Sequence, residues 1–384
     1  MYQRLLNLPL EPKHSALLFG PRGTGKTFWI TQNLANALHF NLLKSETYTT
    51  LAANPTRIER RIPAGFKHWI VIDEVQKIPA LLDEAHRLIE SKKYKFLLTG
   101  SSARKLKKQC ANLLAGRARR YTMHPLTCIE LGKDFSLTKA LQFGMLPEVY
   151  IDADPKSYLN TYVTTYLQEE ILFEGITRDI GEFSRFLEVA SFSQGEILNY
   201  SEIGREAGIK RRIVNNYFDV ACDLLLGIKL PVFTKHAQRQ LISHPKFYFF
   251  DVGVYRAIRP VGPLDIHESI EGHALETLVL QHIRAFNDYQ QLGYKIYYWR
   301  TKNGVEVDFI LYGESGLIAI EVKRKRQLSG KDLRGLKNFS ADYPIAKLYC
   351  FYGGDMPEYF GKITALPIAE GLQRLPEILA TKEN

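Results

Sequence analysis

The sequence predicts an α/β protein of several domains, led by a parallel sheet with flanking helices. Three observations predict it. Short apolar runs alternate with segments of helical period in the first third of the chain. A glycine-rich loop separates the first of those runs from a helical pattern. The chain has 384 residues, more than one core usually serves at about 150 residues per domain.

The apolar runs Ser15 to Phe19, Trp69 to Ile72 and Lys95 to Leu98 read as buried strands, with a helix at Leu81 to Ile89 between the last two. Strands buried on both faces lose the polar alternation and become continuous apolar runs, as parallel strands under helices do. Beyond about Pro125 the texture turns helical, over Tyr158 to Ile171, Phe183 to Ser191 and Tyr200 to Leu225. After Pro245 it is mixed. A strand at Phe247 to Phe250 precedes a long helix near Ile270 to Phe286, then strands at Ile296 to Trp299, Glu306 to Leu311 and Leu317 to Val322.

Composition excludes several classes. With 45% hydrophobic and 24% charged residues the chain is neither disordered nor collagenous. Its four cysteines, Cys110, Cys128, Cys222 and Cys350, form no C-x-x-C pair. That argues against a disulfide scaffold or a cysteine zinc site and fits a reducing cytoplasm. No apolar run approaches the about 20 residues of a membrane span, and the first residues do not read as a signal peptide. The expectation is a cytoplasmic protein with no membrane partner. Its net charge, 51 − 41 = +10, is concentrated. One block holds Arg104, Lys105, Lys107, Lys108, Arg117, Arg119 and Arg120 without an acidic residue; a second runs from Lys323 to Lys337; a third is Lys210-Arg211-Arg212. Such blocks suit a polyanion or a solvated face.

Gly20-Pro21-Arg22-Gly23-Thr24-Gly25-Lys26-Thr27 matches G-x-x-x-x-G-K-[ST] in the strand-to-helix context that motif needs. Glycines let backbone N–H groups curl around phosphates, and the helix N-terminus adds partial positive charge. Lys26 is placed to reach the β and γ phosphates of ATP, and the Thr27 hydroxyl to ligate Mg²⁺. Asp73 and Glu74 end the next strand. Asp73 suits the magnesium shell and Glu74 the polarisation of an attacking water. Thr99, at the end of the third strand, is the first choice for a polar γ-phosphate sensor; a turn of small polar residues is the alternative. Arg117, or Arg119 and Arg120, could stabilise charge on the transferring phosphate, in cis or from a neighbouring copy, or else simply serve the basic block.

Tyr200 to Arg212 reads as helix, glycine turn, helix, with Ser201 as N-cap and a second helix from about Lys210 to Leu225. Ile213, Val214, Tyr217, Val220, Ala221 and Leu224 form its apolar stripe, while Lys210, Arg211, Arg212, Asn215 and Asn216 lie exposed. That face suits a DNA groove or a packing contact equally. Further on, Asp308 in one strand precedes Glu321 in the next by thirteen residues, and Lys323 shares the Glu321 face. If the strands pair, Asp308 and Glu321 can share one Mg²⁺ with Lys323 beside a metal-bound water, and Glu276 can join them from the preceding helix. Two hard oxygen ligands, a cation and an activated water suit phosphodiester hydrolysis.

Together these motifs resemble the prokaryotic AAA+-type ATPases whose C-terminal half carries domain of unknown function 4143. The resemblance rests on Gly20 to Thr27, Val71 to Glu74 with Gln76 and Pro79, Leu97 to Ser102, Leu114 to Arg117, Phe143 to Glu148, Tyr248 to Gly253 and Trp299 to Lys323. It implies a P-loop ATPase domain at 1–130, a helical connector at 131–185, a winged-helix-like domain at 186–240 and an α/β domain similar to PD-(D/E)XK nucleases at 241–384. Asp308, Glu321 and Lys323 match that nuclease motif, and Glu276 its helical glutamate. The implied cofactors are ATP and Mg²⁺, and the implied partner is nucleic acid, DNA before RNA; a homo-oligomer is compatible with the class. Gln168-Glu169-Glu170 departs from the Arg-Asp pair common at that place in the family. The competing expectation is an ATP-dependent switch whose C-terminal domain binds a protein or nucleic acid without cutting it.

Overall fold

The computed structural model describes residues 2–9, 14–102, 118–167, 171–172, 180–234, 244–263 and 265–380. The chain is mixed α/β and divides into two compact units, Met1–His124 with Asp223–Leu226, and Pro125–Cys222 with Gly227–Asn384. Arg104, Lys105, Lys107, Lys108, Cys110, Arg117 and the Gln168-Glu169-Glu170 segment lie outside the described residues.

The first unit is built on a five-stranded sheet. Its strands are β1 Ser15–Phe19, β2 Leu38–Asn41, β3 Ile70–Asp73, β4 Phe96–Gly100 and β5 Ala118–Thr122, in the order β2-β3-β4-β1-β5 and all parallel. The central strands β1, β3 and β4 are wholly buried, which is why they are legible as apolar runs. β2 and β5 are the edges. β5 reads Ala-Arg-Arg-Tyr-Thr and β2 Leu-His-Phe-Asn, half exposed, so neither carries the apolar run that marks the others. The helix Ala80–Lys92 presents Leu81, Leu82, Ala85, Leu88 and Ile89 to the core, one stripe of helical period. Phe19, Ile70, Ile72, Phe96 and Leu98 meet it in the same cluster. The order places β4 between the strand that feeds the glycine loop and the strand that ends in Asp73, so three strand ends converge at the carboxyl edge of the sheet. Open parallel sheets bind ligands at that edge.

The second unit begins with short helices. The expected helix over Tyr158 to Ile171 starts earlier and is interrupted. Asp154 caps it by accepting from Ser157 N, Pro155 opens it, and the α-helix Pro155–Thr161 runs into a π-helical turn, Tyr162–Tyr166. The helices Ile180–Phe192, Tyr200–Ala207 and Arg211–Asp223 follow. The cap of the second is Asn199, not Ser201; Asn199 Oδ1 accepts the Glu202 amide at 3.3 Å and its Nδ2 donates to Glu202 Oε2 at 2.9 Å. An antiparallel hairpin, β6 Gly227–Leu230 with β7 Lys246–Phe249, packs on these helices through Phe218 and Phe247, whose ring centroids lie 4.8 Å apart.

A six-stranded mixed sheet completes the unit: β8 Lys295–Arg300, β9 Glu306–Gly313, β10 Gly316–Lys323, β11 Lys347–Tyr352, β12 Glu358–Phe360 and β13 Ile363–Pro367, in the order β12-β13-β11-β10-β9-β8. β9 and β10 form an antiparallel hairpin, and β10 pairs β11 in parallel. The long helix His267–Tyr289 and the helices Arg334–Asp342 and Ile368–Ala380 accompany it. Among the described residues, no helix is long and apolar enough to cross a membrane.

Candidate functional site

Two sites emerge, one in each unit. In the first, Gly23 and Gly25 take positive φ values of 80° and 87°, the left-handed turns that let the loop after β1 curl back before the helix Lys26–Asn33. Gly20 is required for a second reason: a Cβ there would lie 2.5 Å from the Met123 carbonyl. Thr24 Oγ1 closes the loop on Pro21 O at 2.8 Å, and Lys26 Nζ reaches Gly20 O at 2.7 Å and Pro21 O at 3.1 Å. Lys26 is therefore buried inside its own loop. Arg4 braces the loop from outside, donating to Thr24 O and to His124 O at 2.6 Å each.

The Asp73 carboxylate is fully buried and shared among three partners. Thr27 Oγ1 donates to Oδ2 at 2.7 Å, Thr99 Oγ1 donates to Oδ1, and His39 Nε2 stands 3.7 Å from Oδ2. Burial alone would raise its pKa, but the hydrogen bonds from His39, Thr99 and Thr27 outweigh burial and hold it below the ordinary value. Hard oxygens of Thr27 and Asp73 side by side fit a magnesium ion that keeps most of its waters. Thr99 faces this carboxylate and also accepts the Glu74 amide at 3.0 Å, locking the two acidic residues in place. Glu74 has φ 60°, a left-handed conformation that costs a non-glycine residue about 1–3 kcal/mol and collects at functional positions. Its carboxylate accepts from Gln76 Nε2 and, at 3.1 Å, from Ser101 Oγ. Arg119 and Arg120 lie on the edge strand β5, with the Arg120 guanidinium 5.2 Å from the Phe19 ring centroid; Arg117 lies outside the described residues.

The structure thus brings together Gly20 to Thr27, Asp73, Glu74 and Thr99. Sequence reasoning gave no chemistry to Arg4, His39 or Gln76, and took Ser101 only as one of several turn residues. Arg4 and His39 carry no local signal, because both act through contacts far away in the chain.

In the second unit, β9 and β10 pair in the register that puts Phe309 opposite Ile320, so Asp308 and Glu321 are the next facing positions. Asp308 Oδ2 accepts the Val322 amide at 2.8 Å, and Lys323 Nζ contacts Glu321 Oε1. Glu321 Oε2 is buried and has no hydrogen-bond partner. The helix His267–Tyr289 brings Glu276, whose Oε2 accepts from Tyr248 OH at 2.8 Å. β7 contributes more than the sequence predicts. Phe247 and Phe249 point into the aromatic core, while Lys246 and Tyr248, on the other face, meet the acidic cluster. Lys246 is buried and paired with Glu306, which Arg300 also holds at 3.0 Å. Gln194 ties β7 to the long helix, accepting the Phe249 amide at 2.9 Å and donating to Thr277 Oγ1 at 2.6 Å.

Electrostatically the cluster is one system. Burial works against charge on Lys246, but Glu276, Glu306 and Asp308 outweigh it and hold its pKa above the ordinary lysine value. Burial followed by the neighbouring acid (Glu276 for Asp308, Asp308 for Glu321) pushes both carboxyls well above their ordinary range, and burial raises Glu276 as well. Among the described residues, no three His, Cys, Asp or Glu side chains are arranged to hold a metal ion together. The orphaned Glu321 oxygen beside Asp308 instead fits a hard cation held by two carboxylates and water.

The basic blocks are partly self-neutralised. Arg324 pairs with Glu271 at 2.9 Å and Lys325 with Asp332 at 2.7 Å, whereas Arg326, Lys331, Arg334 and Lys337 are exposed. Lys210, Arg211, Arg212, Asn215 and Asn216 are all exposed, as the helical period predicts.

Three stretches of the chain match known family models. Residues 13–132 match a family model described as an AAA domain, residues 134–265 a domain of unknown function (DUF8612) and residues 271–370 a domain of unknown function (DUF4143). An uncharacterized protein of Mycobacterium tuberculosis, Rv2008c, is 26% identical over 88% of this chain and 76% of its own length. An uncharacterized protein of Methanocaldococcus jannaschii, MJ1544, is 22% identical over 94% of this chain and 86% of its own. A crystal structure of protein VC1899 from Vibrio cholerae aligns with 95% of this chain and 97% of that one at 12% identity, with a TM-score of 0.22. The chain thus carries an N-terminal stretch that matches an AAA-domain model and a C-terminal stretch that matches the DUF4143 model.

Proposed function

We propose that the protein binds and hydrolyses ATP with magnesium and couples that cycle to an action on nucleic acid, its C-terminal site being a magnesium-dependent, nuclease-like centre. The observation that carries the ATPase part is the convergence of the glycine loop, Thr27, Asp73 and Glu74 at one sheet edge. Phosphate oxygens would take the Lys26 ammonium from the loop carbonyls it now holds. Magnesium, bound at Thr27 and Asp73, would neutralise charge on the phosphates, and Glu74 would take a proton from the attacking water. Lys26→Ala should weaken ATP binding. Glu74→Gln should keep binding and lower turnover by about 10²–10⁴-fold, the range for a lost general base; undiminished hydrolysis would remove Glu74 from that role.

The nucleic-acid part rests on the exposed Lys210, Arg211 and Arg212 face, on the three helices followed by a β-hairpin, which suit a winged helix, and on the basic stretch beyond Lys323. Lys323 would stand beside a metal held by Asp308 and Glu321, with Glu276 adjoining. Mg²⁺-dependent cleavage of DNA or RNA that disappears in Asp308→Ala and in Lys323→Ala is the test. A second reading, an ATP-driven switch that binds without cutting, is favoured by the pairing of the acidic cluster with its own Lys246 and Lys323. Intact ATP turnover with no cleavage of any nucleic acid would select it.

A further inference from the structure

The Glu74 carboxylate is gripped by two side chains outside the phosphate loop and the magnesium pair. Its Oε2 accepts from Gln76 Nε2 and from Ser101 Oγ, and Gln76 Nε2 also donates to Ser101 Oγ at 3.0 Å. The three groups close a triangle between the turn Val75–Lys77 and the end of β4. Two features make the triangle more than a surface contact. Gln76 is 4% exposed, and its Oε1 is buried with no partner, an acceptor left over inside the site. Ser101 lies two residues beyond Thr99, the next same-face position along the β4 line. Thr99 holds Asp73, Ser101 holds Glu74, and one strand end therefore sets the spacing of both carboxylates.

We propose that Gln76 and Ser101 are positioning residues for ATP hydrolysis: they fix Glu74 Oε2, so that Oε1 takes the proton of the attacking water. The water oxygen forms its bond to the γ-phosphorus, the bond from that phosphorus to the β–γ bridging oxygen breaks with its electron pair leaving on ADP, and the water proton passes to Glu74. This rests on the ATPase reading of the domain. Neither residue needs to touch nucleotide, which separates their effect from binding.

The test is steady-state ATP hydrolysis and binding of a fluorescent ATP analogue by the full chain with Mg²⁺. Gln76→Ala should lower kcat about hundredfold, within the range for general-base catalysis, with nucleotide affinity changed by less than about threefold. Ser101→Ala should lower kcat about tenfold, and Ser101→Thr, which keeps the hydroxyl, should recover most of it. Adding Gln76→Ala to Glu74→Gln should produce no further loss, because both changes remove one route. Wild-type or faster turnover in Gln76→Ala overturns the proposal and leaves the ATPase reading standing. So does a full additional loss on top of Glu74→Gln. Wild-type chain that binds ATP without hydrolysing it, or Glu74→Gln that hydrolyses normally, overturns the reading and the proposal with it. If Gln76→Ala unfolds, the Ser101 pair decides, since it changes one hydroxyl.

Discussion

Thr27 Oγ1 donates to Asp73 Oδ2 at 2.7 Å, joining two motifs 46 residues apart through one hydrogen bond. The other carboxylate oxygen is taken by Thr99 Oγ1, so strands β3 and β4 and the loop helix meet at a single buried charge. Thr99→Val keeps the volume but removes both a donor to Asp73 and an acceptor for the Glu74 amide. It should destabilise the protein by about 1–3 kcal/mol at pH 7, read from urea unfolding. Asp73 has a depressed pKa, so its stabilisation is present above the unfolded value of about 4 and lost as pH falls through the folded one. The gap between wild type and Thr99→Val should therefore narrow in acid.

Lys246 is the internal counter-charge of the C-terminal cluster. Lys246→Met would leave Glu276 and Glu306 without it. Breaking one side of a buried pair costs about 3–5 kcal/mol, and a loss of that size in unfolding free energy, read from urea denaturation, is expected. Glu306→Gln should cost less, since Lys246 keeps Glu276 and Asp308 and Glu306 is partly exposed.

Asp308 and Glu321 have raised pKa values, so their pH dependence runs opposite to that of Asp73. Between the unfolded value of about 4 and the raised folded values, the native state binds the extra proton. Stability of the chelator-treated protein should fall as pH rises through that window and level off above it. Asp308→Asn should flatten the fall. Magnesium added at alkaline pH should restore wild type and leave Asp308→Asn unchanged, as followed by thermal melting.

Tyr248→Phe removes the hydroxyl that donates to Glu276 and little else. It should weaken binding of Mn²⁺, a probe for Mg²⁺, at the Asp308 and Glu321 site by about tenfold, as expected when a residue orienting a ligand is lost. Unchanged affinity would mean that Glu276 takes no part in holding the ion.

Asp251 explains two motifs that belong to neither site. Its carboxylate accepts amides of Gly253 and Val254 at 2.8 and 3.1 Å and of Met145 at 2.8 Å, stapling the loop after Phe143 to the helix Val252–Ile258. A Cβ on Gly253 would sit 2.0 Å from Phe143 O, and one on Gly144 2.1 Å from Asp251 Oδ1. Gly253→Ala should cost about 1–3 kcal/mol or more by overpacking, in thermal or urea melts, without changing the affinity of the first unit for nucleotide.

The first site was legible because its parts are local. The phosphate loop is eight consecutive residues, and Asp73 and Glu74 end a run whose apolar character comes from burial on both faces. Asp308, Glu321 and Lys323 were legible for a similar reason: a short hairpin turn makes their register computable from spacing. Edge strand β5 was missed because Arg119 and Arg120 mask its pattern, and the interruption of the helix after Thr161 because a π turn leaves no periodic signature at that length. The sequence points to Ser201 as the cap whereas Asn199 holds the role, because both residue types suit it and only backbone geometry separates them.

Contacts remote in sequence were not legible. Nothing near Lys246 marks it as the counter-charge of Glu276, Glu306 and Asp308, because its partners lie on other elements, and alternation along β7 reveals a second face without saying what covers it. Gln76 and Ser101 meet Glu74 only because β4 lies beside β3, a pairing between segments far apart in the chain. Chain order carried the candidate phosphate-loop and acidic residues, since loop curvature, strand alternation and capping are short-range properties of neighbouring residues. The folded arrangement supplied which carboxylate is gripped, which is paired and which oxygen is left over. Those depend on burial and on charges brought within a few ångströms from distant parts of the chain.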